Sequence, residues 1–368
     1  MHPHAPEMSP ERPMESPVMT AIRRAGWFTR PGAFVLVDGQ YGSTGKGLAA
    51  SLFAQAGLGQ ITHVTTNAGP NSGHTAYIRG EKVMTQQLPI AAVALADTGY
   101  APITYLNAGA ILDPFILADE LARLKSPLVP VVHPAAAVID PDHRTKEQDS
   151  PDIRRIASTG KGVGAALASK ILRENNVAAK RRAVLPGNII VNALDWDWSH
   201  NRVFVETAQG FSLGLNEARF HPFTTSRECT VMQALADARI PILRVRGVCA
   251  TYRTFPIRVG NTAEGQSGSH YPDQVETSWE ALGLAPELTS VTQRVRRVFT
   301  WSRQQFRESV AANEPDTLFL NFMNYLRPQD VRPFVEQTIR DYRQVMHLDP
   351  ALVLLGYGPK PEDVQTWW

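Results

Sequence analysis

Residues 34–46, FVLVDGQYGSTGK, constrain the fold more than any other stretch of this chain. Four apolar residues in succession read as a strand buried on both faces. A glycine-rich turn follows, and a helix-forming segment opens at Lys46. A strand that enters a helix through so short a turn predicts a parallel α/β sheet, and the turn offers backbone N–H groups and a helix N-terminus to phosphate. The common phosphate loop would place Gly where Gln40 stands and Ser or Thr where Gly47 stands, so a generic nucleotide hydrolase is a poor match. Taken alone, the turn is equally well a plain strand-to-helix connection.

The rest of the chain repeats the alternation. Short apolar or β-branched runs at 33–37, 128–132, 203–205 and 352–355 alternate with helical segments at 46–55, 115–124, 164–174, 231–238 and 331–345. This predicts a mainly parallel central sheet flanked by helices, with ligands at the carboxyl ends of the strands. No repeat of solenoid period occurs, and residues 260–270, rich in Gly, Ser and Asn, read as a loop. Residues 31–368 are therefore expected to form one α/β domain with insertions. Residues 1–30, rich in Pro, Met and charge, read as a flexible N-terminal extension, with Met19 as an alternative start.

Charge and composition exclude several classes. With 37 basic and 35 acidic residues the net charge is +2, which gives no global field for nucleic acid or a membrane surface. The apolar stretch at 111–124 is interrupted by Asp113, Asp119 and Glu120, so no bilayer span is expected. Two cysteines, Cys229 and Cys249, are too few for a disulfide framework or a zinc cluster, which suits a reducing cytoplasm, the host's if the chain is viral.

A second motif, NAGPNSGHT at 67–75, decides between the readings of the first. With it the chain resembles the adenylosuccinate synthetases, whose first turn reads WGDEGKGK and whose next loop reads NAGHT. Gly42, Gly45, Lys46 and Gly47 match the former; Asn71, Gly73, His74 and Thr75 match the latter. The likeness continues in order: STGKGVG at 158–164 resembles TTGRGIG, ETAQG at 206–210 resembles EGAQG, and PFTTS at 222–226 resembles PFVTS. VTQRVRR at 291–297 is similar to the TTGRxRR aspartate loop, and GYGPK at 356–360 to the late Gly-Pro turn near the donor base.

The resemblance implies a P-loop-NTPase-like fold and a homodimeric ligase that needs Mg²⁺. In this family a nucleoside triphosphate phosphorylates O6 of a purine monophosphate, and the amine of L-aspartate displaces that phosphate at C6. Carried over residue by residue, Gly42, Thr44, Gly45, Lys46, Gly47, Gly73, His74, Thr75, Asn324, Gly358 and Pro359 would bind the donor. Ser43, Asn71, Ser158, Thr159, Gln209 and Thr225 would bind the monophosphate, and Thr292, Arg294 and Arg296 the aspartate. Lys46, His74 and Ser43 are the candidate catalytic residues, with Ser43 and the Gly73 carbonyl nearest the metal. An arginine contributed across the dimer would come from Arg173, Arg181 or Arg182.

Two departures refine the substrate. Ser43 replaces the Asp of WGDEGKGK, and a small hydroxyl leaves room for the 2-amino group that distinguishes guanine from hypoxanthine. The change resembles the bacteriophage branch of the family, which converts dGMP, aspartate and a nucleoside triphosphate to N6-succino-2-amino-2′-deoxyadenylate. Asn321, Phe322, Met323 and Asn324 stand in place of the guanine-reading TKLD, which favours ATP or dATP over GTP, because a guanine would leave its donors unpaired. A conventional synthetase acting on IMP with GTP, a catalytically silent nucleotide-binding paralogue and a nucleotide-dependent switch are the alternatives.

Overall fold

The computed structural model describes residues 16–217, 219–263, 265–289 and 293–368. Strand β1 (Gly32–Asp38) is buried along its whole length. It lies in a ten-stranded sheet whose order, from one edge, is Val364–Thr366, Leu352–Gly356, Thr317–Asn321, Val245–Arg253, β1, Arg202–Glu206, β2 (His63–Thr66), Ile103–Leu106, Val131–Val132 and Ile190–Val191. Every pairing is parallel except that of the first edge strand, Val364–Thr366. The expected mainly parallel sheet is thus observed.

Alternation along β1 divides the interior into two cores. Phe34 and Leu36 join Phe53, Phe204 and Phe319 on one face, while Val35 and Val37 join Val205, Leu235, Phe306 and Ile339 on the other. Helix α2 (Lys46–Ala56) starts from Gly45, whose φ of 91° is the left-handed conformation that glycine tolerates at little cost. The predicted strand at 128–132 contracts to Val131–Val132, since Pro127 and Pro130 have no N–H for a ladder. The helix predicted at 164–174 spans Val163–Ile171.

The reading of residues 1–30 as a flexible extension needs correction over its second half. Helix α1 (Pro17–Arg24) opens on a proline at its first turn and buries Val18 and Ile22, one helical turn apart. Trp27 and Phe28 then pack against Phe34, and the Trp27 indole donates to Thr317 Oγ1 at 3.1 Å. Composition averaged over thirty residues conceals this short apolar stripe. Residues 1–15 lie outside the described structure. Among the described residues no helix is long and apolar enough to cross a membrane.

The carboxyl ends of β1, β2 and the strands Arg202–Glu206, Val245–Arg253 and Thr317–Asn321 run into the turn at 39–45 and the segments at 67–73, 207–210, 254–256 and 322–325. A hairpin, β3 (His74–Ile78) with β4 (Glu81–Thr85), and a small antiparallel sheet of Ile257–Arg258, Arg297–Phe299 and Glu276–Thr277 lie outside the main sheet.

Candidate active site

Asp38, the last residue of β1, anchors the phosphate turn. Its carboxylate accepts from the Gln40 and Gly42 amides at 2.9 and 3.2 Å, from Thr44 Oγ1 at 2.5 Å and from Lys46 Nζ at 3.2 Å. Held this way, the turn passes through positive φ at Gly42, Ser43 and Gly45. For Ser43, at φ 56°, that conformation costs about 1–2 kcal/mol, a strain of the kind found at functional turns. Lys46 also donates to the Gln209 carbonyl at 2.7 Å, tying the turn to the ETAQG segment. A Cβ at Gly47 would overlap the Thr75 backbone, so the second loop lies directly on the start of α2.

That loop delivers His74. Its Nδ1 lies 2.5 Å from Glu206 Oε1, and Glu206, fully buried, also accepts from the amides of Ile90 and Ala91 at 3.2 and 3.0 Å. With the carboxylate as acceptor, Nδ1 is the donor. Nε2 is buried and has no partner among the described residues.

His74 lines a cavity of about 430 Å³ together with Ser43, Thr44, Gly45, Lys46, Gly47, Gly73, Thr75, Glu287, Phe322, Asn324, Tyr325, Gly358 and Pro359. All of the donor-binding candidates except Gly42 meet there. Asn321 lines the same cavity and also braces the turn: its amide donates to the Thr44 carbonyl at 3.4 Å and its oxygen accepts from Phe322 N.

A second cavity adjoins the first and shares Ser43, Lys46, Gly73 and His74 with it. Its other walls include Gly42, Asn71, Thr159, Gln209 and Arg296, and it continues into a space bordered by Ser158 and Thr225. The monophosphate candidates are therefore assembled from loops far apart in sequence. Arg296 reaches this cavity, and burial depresses its pKa despite Glu287 nearby. Arg294 is exposed and lines neither cavity, and Thr292 lies outside the described residues.

Several residues of this region escape a reading by motif. Arg258 borders the second space with its guanidinium beside the rings of Tyr41 and Phe220, at 4.8 and 5.1 Å from their centroids, and burial pushes its pKa down to about 10. Arg253 is wholly buried and paired with Glu287 at 2.6 Å. Among the described residues no group of three or more His, Cys, Asp or Glu could hold a metal by itself.

Two cavities meeting at a lysine, a carboxylate-backed histidine and a glycine-rich turn suit transfer of a phosphoryl group from one bound nucleotide to another molecule. The sequence profile of adenylosuccinate synthetase matches residues 35–183 and 188–331. The chain belongs to the adenylosuccinate synthetase family. Within it, the N6-succino-2-amino-2′-deoxyadenylate synthase of Vibrio phage phiVC8 is 38% identical over 346 residues, covering 90% of this chain and 97% of that one. The solved structure of the cyanophage S-2L succinoaminodeoxyadenylate synthetase, bound to dGMP and to dATP as an energy donor, superposes with a TM-score of 0.80 at 30% identity, covering 92% of this chain and 95% of that one. The fully ligated adenylosuccinate synthetase of Plasmodium falciparum, 14% identical with a TM-score of 0.70 over 92% of this chain and all of that one, shares the fold.

Proposed function

We propose that this chain joins L-aspartate to C6 of dGMP, using ATP or dATP, to give N6-succino-2-amino-2′-deoxyadenylate. The observation that carries the reading is Ser43, placed with Lys46 and His74 where the two cavities meet. A carboxylate there would crowd the 2-amino group of guanine, whereas a hydroxyl accommodates it. The phage relative and the dGMP-bound cyanophage structure support the same substrate.

Donor phosphates would lie along the amides of residues 44–47 and the Lys46 ammonium, with the adenine beside Asn324, Gly358 and Pro359. The dGMP phosphate and ribose would be held by Asn71, Ser158, Thr159, Gln209 and Thr225, and the aspartate carboxylates by Arg296; the family resemblance alone adds Arg294 and Thr292 of the same loop. As guanine N1 gives up its proton to a base or to solvent, O6 attacks the γ-phosphorus and the nucleoside diphosphate leaves. The aspartate amine then adds at C6, releases a proton and expels phosphate. His74 Nε2, oriented by Glu206 through Nδ1, would hydrogen-bond the transferring phosphoryl group, and in the second step the oxygen that leaves with phosphate. Ser43 and Gly73 line the same cavity as Lys46, which fits Mg²⁺ held mainly by phosphate oxygens with the Ser43 hydroxyl and Gly73 carbonyl beside it. Bound so, the ion would neutralise charge on the donor phosphates.

A homodimer in a host cytoplasm completes the reading. Of the arginines that could cross its interface, Arg181 pairs with Asp140 and Arg182 donates to the carbonyls of Pro186, Gly187 and Ile189.

The test crosses dGMP, GMP and IMP with ATP, dATP and GTP in the presence of aspartate and Mg²⁺, measuring phosphate release and product mass. Aspartate-dependent turnover of dGMP with an adenine donor is expected. Turnover of IMP alone would make the chain a conventional synthetase, and silence throughout would make it a nucleotide-binding paralogue.

A further inference from the structure

Arg253 ends the strand Val245–Arg253 with its side chain fully buried, and its guanidinium reaches three segments of the site. Nη1 donates to the Ser43 carbonyl at 3.2 Å, in the phosphate turn. Nη1 and Nη2 grip the Glu287 carboxylate at 3.2 and 2.6 Å. The cation also lies 4.0 Å from the ring centroid of Phe322 and 5.9 Å from that of Tyr325. Its own backbone is clamped by Gln40, which accepts from Arg253 N at 2.9 Å and donates to Arg253 O at 3.2 Å.

Glu287 is the other half of the link. Its carboxylate accepts from the Tyr325 hydroxyl at 2.9 Å, and its main-chain carbonyl accepts from the Arg296 amide at 2.8 Å. Glu287, Phe322 and Tyr325 line the donor cavity, whereas Arg296 lines the adjoining one. The wall of the donor cavity and the main chain of Arg296 are thus joined through one residue.

A buried ion pair contributes little net stability, because desolvation of both charges offsets their attraction. A two-point guanidinium–carboxylate contact does fix orientation, which a lysine or an apolar pair would not. We propose that Arg253 is a positioning residue that, through Glu287, couples occupation of the donor cavity to the affinity of the Arg296 loop for aspartate. A donor base packed on Phe322 and Tyr325 holds the Tyr325 hydroxyl on Glu287. Glu287, gripped by Arg253, then holds the Arg296 main chain in its binding position. The assignment of Arg296 to aspartate rests on the function proposed above; the link itself is made of the contacts just described.

Calorimetric titration of L-aspartate into the full chain with dGMP and Mg²⁺, with and without the non-hydrolysable donor adenylyl imidodiphosphate, tests this. The wild-type affinity for aspartate is expected to rise at least about fivefold when the analogue is bound, and by linkage the analogue gains the same factor from aspartate. Tyr325→Phe, which deletes one hydroxyl, and Glu287→Gln should bring that factor close to one, as should Arg253→Lys. A purely structural pair would lower melting temperature in the variants and leave the factor unchanged, which would overturn the proposal. A wild-type factor of one would overturn it too while leaving the ligase reading intact. Failure of the wild type to bind aspartate under any condition would remove both. Should Arg253→Lys fail to fold, the Tyr325→Phe result decides.

Discussion

His74 Nδ1 sits 2.5 Å from Glu206 Oε1, and Glu206 is itself fixed by the first amides of the helix Ile90–Ala96. The histidine is thereby held with one nitrogen engaged and the other presented, a geometry that serves proton transfer at Nε2 without reorganisation. His74→Asn should lower kcat roughly 10²–10⁴-fold, the usual contribution of a positioned general acid or base. Steady-state kinetics together with dGMP binding by calorimetry check this, and a variant with normal kcat would remove His74 from the chemistry.

Ser43 governs which purine fits. Ser43→Asp introduces a carboxylate at the junction of the cavities, and kcat/KM for dGMP should fall by roughly 10-fold or more, the scale on which pockets discriminate small groups. The ratio of IMP to dGMP turnover should rise in the same variant. Competition assays with both monophosphates measure this, and undiminished dGMP turnover would dispose of the steric account.

Asn324 is exposed on the wall of the donor cavity, in the short helical turn Met323–Tyr325. A neutral amide can pair with an adenine edge, while a carboxylate suits the two N–H donors of guanine. Asn324→Asp should therefore shift the preference from ATP towards GTP by about 1–3 kcal/mol, the cost of an unpaired polar group. The ratio of kcat/KM for the two donors is the readout, and an unchanged ratio would place base recognition elsewhere.

Much of this site is legible in the sequence because it is carried by local signals. Glycine spacing at 42–47 and the run at 71–75 announce backbone conformations and side-chain types together, and the donor candidates other than Gly42 converge on one cavity. Asp38, Arg253, Arg258 and Glu287 carry no such signal. A single charge at the end of an apolar run has no periodicity, and its role appears only when strand order lays Val245–Arg253 beside β1, pairing Asp38 with Thr251. Helix α1 was hidden for a different reason, since two buried residues do not alter the composition of a polar segment. The order of ten strands is a long-range property that hydrophobic patterns do not encode.

Asp316 offers a test of the fold that is independent of catalysis. It lies just before the strand Thr317–Asn321, accepts from the Val248 amide at 3.1 Å and the Thr317 hydroxyl at 2.7 Å, and has no salt-bridge partner among the described residues. Burial raises its pKa from 3.8 to about 6, the two hydrogen bonds offsetting only part of that effect. The folded state therefore holds this proton more tightly than the unfolded chain. The associated stability is fully present below the unfolded pKa and is lost as pH rises through about 6. A shift of this size corresponds to about 3 kcal/mol at most. Asp316→Asn keeps an acceptor for Val248 and carries no charge, so it should be more stable than the wild type above pH 7, with the advantage shrinking towards pH 4. Urea unfolding at a series of pH values measures the difference, and a gap independent of pH would show that the Asp316 carboxyl is not the titrating group.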